Sequence, residues 1–149
     1  MGQNQAMGSA SNLRARLAWL AFAGFLTGAG GATMIALSNQ TLEQPVLEIS
    51  LRVLTGWTWL GVGIFACWRR PDNAFGKWMI FTSFAWLAQS LTYATSALVF
   101  TFGVVVAYVF PFALIQTLVR FPTGRIETGT DRWVVRLVVV ALSLVLLGT

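Results

Sequence analysis

Nine of the ten basic residues of this chain lie in three short clusters that separate long apolar runs. The clusters are Arg14 and Arg16; Arg69, Arg70 and Lys77; and Arg120, Arg125, Arg132 and Arg136. Only Arg52 lies elsewhere. Because short loops rich in Lys and Arg stay on the cytoplasmic side of a membrane, the pattern predicts a multi-pass protein of the cell (inner) membrane. Its amino terminus and its second and fourth connections should be cytoplasmic.

The composition agrees with a membrane protein. Hydrophobic residues make up 56% of the chain and charged residues 10%, whereas soluble domains carry about 25% charged residues. The net charge of +5 does not indicate nucleic-acid binding, because the basic residues do not form one face with interleaved aromatics. The partners predicted from the charge are the lipid bilayer and, at the basic loops, anionic lipid of the inner leaflet.

The apolar runs predict an all-α fold, a polytopic transmembrane bundle of four full helices and a truncated fifth. A spanning helix needs about 20 apolar residues. The predicted helices are 17–37, 49–68, 78–98, 102–119 and an incomplete 133–149, after a cytoplasmic tail at 1–16. The fifth run is too short to cross, so we expect the chain to be a fragment of a longer protein. A true terminus with a shallow, tilted last helix is the alternative.

The turn between the third and fourth helices is poorly marked, because no charged residue lies between Trp78 and Val119. We place it near Leu98 to Gly103, with Thr101 as a candidate helix cap.

The first outer connection carries helix-start signals. The run TLEQ at 41–44 has capping-box spacing, and Glu48 precedes Arg52 by four residues, the favourable order for a helical ion pair. A solvated helical face with this ion pair is the favoured interpretation, and a sensory role for these charges is the alternative.

The first helix carries small residues at a regular four-residue spacing: Gly24, Gly28, Ala32 and Ala36. Such a strip lets another backbone approach closely. It predicts a packing seam with a helix of the same chain or, alternatively, of a second copy.

Polar residues near the predicted midplane suggest one site. Gln89, Tyr93 and Tyr108 form a candidate intramembrane polar pocket, and Pro111 is a candidate hinge because proline lacks the amide proton that its helix needs. The alternative role of the polar groups is a plain interhelical hydrogen bond.

Several chemistries are excluded by what the sequence lacks. It contains no histidine, so histidine-based metal and haem ligation and a phosphoacceptor histidine are excluded. We find no catalytic constellation, metal site or cofactor motif. This chain by itself is not expected to be an enzyme.

Two predicted inner loops resemble loops in the membrane-spanning N-terminal sensor regions of bacterial, especially actinobacterial, sensor histidine kinases. They are the run RRPDN at 69–73 with Gly76 and Trp78, and the run FPTGRI at 121–126 with Trp133. The resemblance covers roughly residues 69–149, and it departs from the family pattern at Thr123 and Lys77. Physically, Pro71 presets a turn and Asp72 or Asn73 can cap the next helix.

The resemblance implies the input region of a two-component signal-transduction protein, without its catalytic domain. The parent protein would form a homodimer and autophosphorylate a histidine in a cytoplasmic domain, using ATP. The main alternative is a small integral membrane subunit of a transporter or other complex. A self-contained transporter is disfavoured because no acidic residue lies inside a predicted span.

Overall fold

The computed structural model describes the backbone of residues 2–38, 43–121 and 129–148, and every regular element in these segments is helical. The all-α prediction is confirmed. The α-helices are α1 (Gly2–Leu37), α2 (Pro45–Arg69), α3 (Ala74–Ala88), α4 (Ala97–Val119) and α5 (Gly129–Gly148), and a 3-10 helix (Gln89–Tyr93) continues α3.

Helix α1 is longer than predicted, because residues 2–16 continue the helix that was expected to begin at residue 17. This segment contains no proline to stop it. At about 1.5 Å per residue α1 extends about 54 Å, well beyond a hydrocarbon core of about 30 Å.

Within the described residues, three helices are long and apolar enough to cross a membrane: Asn12–Leu37, Pro45–Arg69 and Ala97–Val119. Only 22%, 17% and 11% of their most apolar windows are buried within the chain. Large apolar side chains instead cover the outside, as for Trp19 at 70% exposed and Leu98 at 84%. Such a surface is unfavourable in water, and together with the spans it indicates a membrane protein.

Helix α3 has 15 residues, fewer than a spanning α-helix needs. With the five residues of the 3-10 helix, it extends about 32 Å at about 1.5 and 2.0 Å per residue. It is also the most enclosed helix. Its buried residues are Gly76, Ile80, Thr82, Ser83, Ala85 and Leu87. It contacts α1, α2 and α4, so α3 is the central element of the described chain.

The turn before α4 lies at residues 94–96, earlier than predicted. Thr101 is not a cap, because its hydroxyl donates to the Ala97 carbonyl 2.8 Å away within α4. The turn falls in a polar run that includes Thr92, Thr95 and Ser96, and such residues favour turns.

The start of α2 also differs from the prediction. The helix begins at Pro45, and Gln44 is the residue before it, with φ −136° and no side-chain cap. Gln44 therefore lies outside the helix and cannot complete a capping box, while Thr41 lies outside the described residues. Proline suits the first helical position because no partner is needed for its missing amide.

The connection between α2 and α3 is the predicted turn. The Asn73 amide donates to the Arg70 carbonyl at 3.0 Å, and Pro71 lies inside this turn. The Asn73 side chain accepts from the Phe75 amide at 2.8 Å and caps α3. The predicted roles of Pro71 and Asn73 are thereby confirmed.

Glycines bring α2 and α3 into close contact. A Cβ on Gly63 would lie 2.9 Å from the Ile80 backbone nitrogen and 3.1 Å from the Gly76 carbonyl oxygen. A Cβ on Gly76 would lie 2.9 Å from the Cys67 nitrogen. About two turns from these glycines along both helices, the Ser83 hydroxyl donates to the Gly56 carbonyl at 2.8 Å. Since the obstructing atoms are backbone, only glycine fits at this crossing.

We expect Gly63→Ala to destabilise the fold by about 1–3 kcal/mol, because the added methyl forces α2 and α3 apart. Gly61→Ala is the matched control, two residues away in the same helix, where nothing lies within 4 Å of an added Cβ. That substitution should be neutral or stabilise by about 0.5–1 kcal/mol. Thermal unfolding in detergent measures both. Equal melting temperatures for the two variants would contradict the crossing.

Candidate functional site

Arg52 is the basic residue that the positive-inside pattern does not explain, and its side chain turns from α2 toward α3. The guanidinium carbon lies 5.5 Å from the ring centroid of Trp86 and 5.7 Å from that of Tyr93. Both distances are within the range of a cation–π interaction. Arg52 is thus held by two aromatic faces at the point where α3 passes into its 3-10 end.

Trp86 is fixed by contacts on two sides. Its indole nitrogen donates to the Arg52 carbonyl oxygen at 2.8 Å, and its ring lies 5.1 Å from that of Phe110 on α4. Phe110 in turn lies 6.3 Å from Trp59 on α2. Helices α2, α3 and α4 therefore all contribute rings to the aromatic wall beside Arg52, and such ring contacts stabilise their packing.

No carboxylate neutralises Arg52 within the described chain. Its Nη1 atom is buried and has no hydrogen-bond partner. The predicted Glu48–Arg52 ion pair is not formed. Glu48 is exposed to solvent, where hydration and side-chain entropy compete with a weak surface pair, while the guanidinium is drawn onto the rings of α3.

A cavity of about 230 Å³ opens beside the guanidinium. Its lining residues come from α1, α2, α3 and the 3-10 helix: Ile35, Glu48, Leu51, Arg52, Thr55, Trp86 and Tyr93. We call it the Arg52 cavity. It combines apolar walls with two aromatic rings and one half-buried cation, whose Nη1 atom is buried, an arrangement expected of a small-ligand site.

Of the residues predicted to form a polar pocket, the structure brings only Tyr93 into this cavity. Gln89 is half-buried, and its backbone carbonyl accepts from the Thr92 hydroxyl at 2.8 Å. Tyr108 is half-buried on α4. In the described part of the chain, no hydrogen bond or ring contact joins Tyr108 to Gln89 or Tyr93. Pro111 lies on an exposed face, and α4 continues through it.

Two of the four small residues predicted to form a packing seam on α1, Gly24 and Gly28, lie against α2. An added Cβ on Gly24 would meet Leu60, and one on Gly28 would lie 2.5 Å from the Trp57 indole nitrogen. Ala32 is half-buried, and Ala36 is exposed. A strict four-residue step drifts about 40° around a helix each time.

The buried face of α1 continues instead through Gly31 and Ile35. An added Cβ on Gly31 would lie 2.8 Å from the Ser90 hydroxyl oxygen. Steps of four, three and four residues from Gly24 stay on one side of the helix. This face places the end of α1, with Ile35, beside the Arg52 cavity.

Contacts between α3 and α4 extend from the Arg52 cavity to the opposite end of the helices. The Thr82 and Thr117 hydroxyls form a buried hydrogen bond of 2.9 Å. Further along, the Arg120 guanidinium lies 4.7 Å from the Trp78 ring centroid. Arg120 also donates to the Gln116 side chain and, at 3.1 Å, to the Gln116 carbonyl. Burial lowers the pKa of Arg120 from its ordinary value.

Two described residues that border the runs of the kinase resemblance lie together at this end. Phe75, which follows the RRPDN run, lies 5.4 Å from Phe121, the first residue of the FPTGRI run, with the rings edge to face. Residues 122–128, including Thr123 and Arg125, lie outside the described residues.

A second cavity, of about 290 Å³, lies at the same end between α1, α2 and α3. Its walls are mostly apolar, and it is bordered by Arg16 and Lys77. Two cations therefore border an apolar cavity at this end of the helices.

Sequence reasoning singled out Arg52 and Tyr93 separately but did not join them. The signal available was an unexplained cation in an apolar helix, which in membranes generally indicates a partner or a function. Trp86 packs between helices, and its contact with Arg52 depends on the α2–α3 register, which the sequence does not show. No family model matches this chain, and no curated protein or solved structure shows significant similarity to it.

Proposed function

We propose that this chain is the membrane-embedded input region of a sensor histidine kinase and that the Arg52 cavity receives the stimulus. The observation that supports this best is the position of α3. One end of α3 and its 3-10 extension contribute Trp86 and Tyr93 to the cavity. The other end carries Asn73 and Phe75, beside the loops that resemble those of the kinases.

The proposed mechanism is a shift of α3 against α4. A ligand in the cavity contacts residues of α2 and α3, so it stabilises one arrangement of these helices over another. The contacts of α3 with Thr117 and Arg120 of α4 would transmit the change to the inner loops. Coupling of this kind requires an element with two arrangements that differ by only a few kcal/mol.

The proposed topology has four helices crossing the cell membrane, with α3 and its 3-10 extension as the fourth span, and a cytoplasmic amino terminus. The inner ends are assigned by the basic clusters, and exposed Trp19, Trp68 and Trp133 lie beside them, as interfacial aromatics do. Dimerisation and anionic-lipid contact near Arg16 and Lys77 belong to this proposal.

Cysteine labelling in intact cells tests the orientation. Gln44 and Asp72 are both exposed at helix connections. With Cys67 first replaced by serine, Gln44→Cys should react with a membrane-impermeant thiol reagent, and Asp72→Cys should react only after permeabilisation. Labelling of Asp72→Cys in intact cells would reverse the orientation.

Autophosphorylation of the parent protein in membranes tests the signalling role. Thr82→Val removes the buried hydrogen bond to Thr117, worth about 0.6–2 kcal/mol, and should change the basal or stimulated rate by about 3- to 30-fold. Thr101→Val is the control, since that hydroxyl is exposed and bonds only within α4.

Two results would contradict the proposal. One is an unchanged response in Thr82→Val at normal abundance. The other is a reading frame without a histidine-bearing dimerisation helix and an ATP-binding domain, which would favour the alternative of a small membrane subunit.

A further inference from the structure

We propose that the Arg52 cavity is a binding site for a carboxylate or phosphate group, with the Arg52 guanidinium as its counter-ion. The assignment of this anion as a stimulus rests on the proposed function, whereas its binding does not. The anion belongs either to a free solute or to a lipid headgroup, and the experiment below separates the two sources.

The guanidinium of half-buried Arg52 has one buried nitrogen, Nη1, for which the described chain supplies no hydrogen-bond acceptor. Arginine remains protonated in proteins and presents five N–H donors in one plane. Burying such a group without acceptors is costly. Here Nη1 is buried and unpaired, and Glu48, one turn away, is exposed and forms no ion pair with it.

The aromatic rings offset only part of the free-energy cost of burying the guanidinium. The faces of Trp86 and Tyr93, at 5.5 and 5.7 Å, attract the cation. They do not accept the in-plane hydrogen bonds of the guanidinium. A carboxylate or phosphate matches that planar fork with two parallel hydrogen bonds. The rings and the anion therefore satisfy different parts of the same group.

The cavity has the size and lining for a compact anionic group. Its volume of about 230 Å³ is below that of drug-sized sites. Thr55 and Tyr93 contribute hydroxyl-bearing side chains to the lining, and Ile35 and Leu51 contribute apolar surface. The site thus suits an anionic head joined to a short apolar portion.

Glu48 lies in the same lining and influences which anions bind. Because it is exposed, its charge is largely screened by water and salt, so it weakens anion binding without preventing it. Removing that charge with Glu48→Gln should strengthen the binding of a simple anion.

Thermal unfolding of the purified chain in a neutral maltoside detergent tests the site. The probes are inorganic phosphate, acetate and dihexanoyl phosphatidic acid, each compared with chloride at equal ionic strength. We expect at least one probe to raise the melting temperature by about 2–4 °C at saturating concentration. Phosphate or acetate acting alone identifies a free anion, and an effect of the lipid alone identifies a headgroup.

Substitutions assign the effect to Arg52. Arg52→Gln should lose the rise, and Arg70→Gln should keep it, since Arg70 is an exposed cation outside the cavity. If Arg52→Gln does not fold, Leu51→Trp replaces it, because an added indole at this exposed lining position fills the cavity while Arg52 remains. No rise with any probe, or an equal rise when Arg52 is removed or the cavity filled, would overturn the inference.

The test of anion binding can succeed or fail independently of the test of the kinase proposal. Anion binding without any anion effect on autophosphorylation would leave the site intact and remove its sensory role. If Thr82→Val changes autophosphorylation but no anion binds, the kinase proposal stands and the anion site is overturned.

Discussion

The close approach of α2 and α3 at Gly63 and Gly76 is the contact on which the other features depend. In a lipid environment apolar burial does not drive helices together, so association relies on close packing and on hydrogen bonds between helices. The glycines let the two backbones approach, and this distance permits the Ser83 hydroxyl to reach the Gly56 carbonyl. The same register brings Trp86 to the backbone of Arg52.

The position of the Arg52 side chain depends on this register of α2 against α3. A lone arginine in an apolar helix is unfavourable, and the chain offsets part of the cost with the Trp86 and Tyr93 rings. The offset is incomplete, because one guanidinium nitrogen remains buried without an acceptor. This unpaired nitrogen beside a cavity is the physical basis for proposing ligand binding at this end of α3. The Thr82–Thr117 hydrogen bond and the Trp78–Arg120 contact join α3 to α4 between the cavity and the other end of the helices.

Local features of the fold could be predicted from the sequence, whereas features that depend on register could not. The helical class, three of the four predicted apolar spans and the cap at Asn73 follow from composition and from nearest neighbours. The turn before α4 was predicted too late in the chain, because no charged residue marks it between Trp78 and Val119 and the polar run at Thr92 to Ser96 is uncharged. The α1 ladder was extended to Ala36 because a four-residue repeat ignores the drift of a helix with 3.6 residues per turn. The Glu48–Arg52 pair was expected because i,i+4 spacing is visible in the sequence, and the competing rings of α3 are not.

The most direct test of the account is the guanidinium spectrum of the purified chain labelled with ¹⁵N-arginine. The Trp78 ring should shift the Arg120 guanidinium protons upfield, and two aromatic faces should shift those of Arg52 upfield. That signal should be absent in Arg52→Gln, return toward the common position in Trp86→Leu, and move when the binding anion is added. If no arginine signal responds to Trp86→Leu, the contact of the Arg52 guanidinium with the Trp86 and Tyr93 rings is contradicted. The proposed binding site at Arg52 would then be contradicted as well.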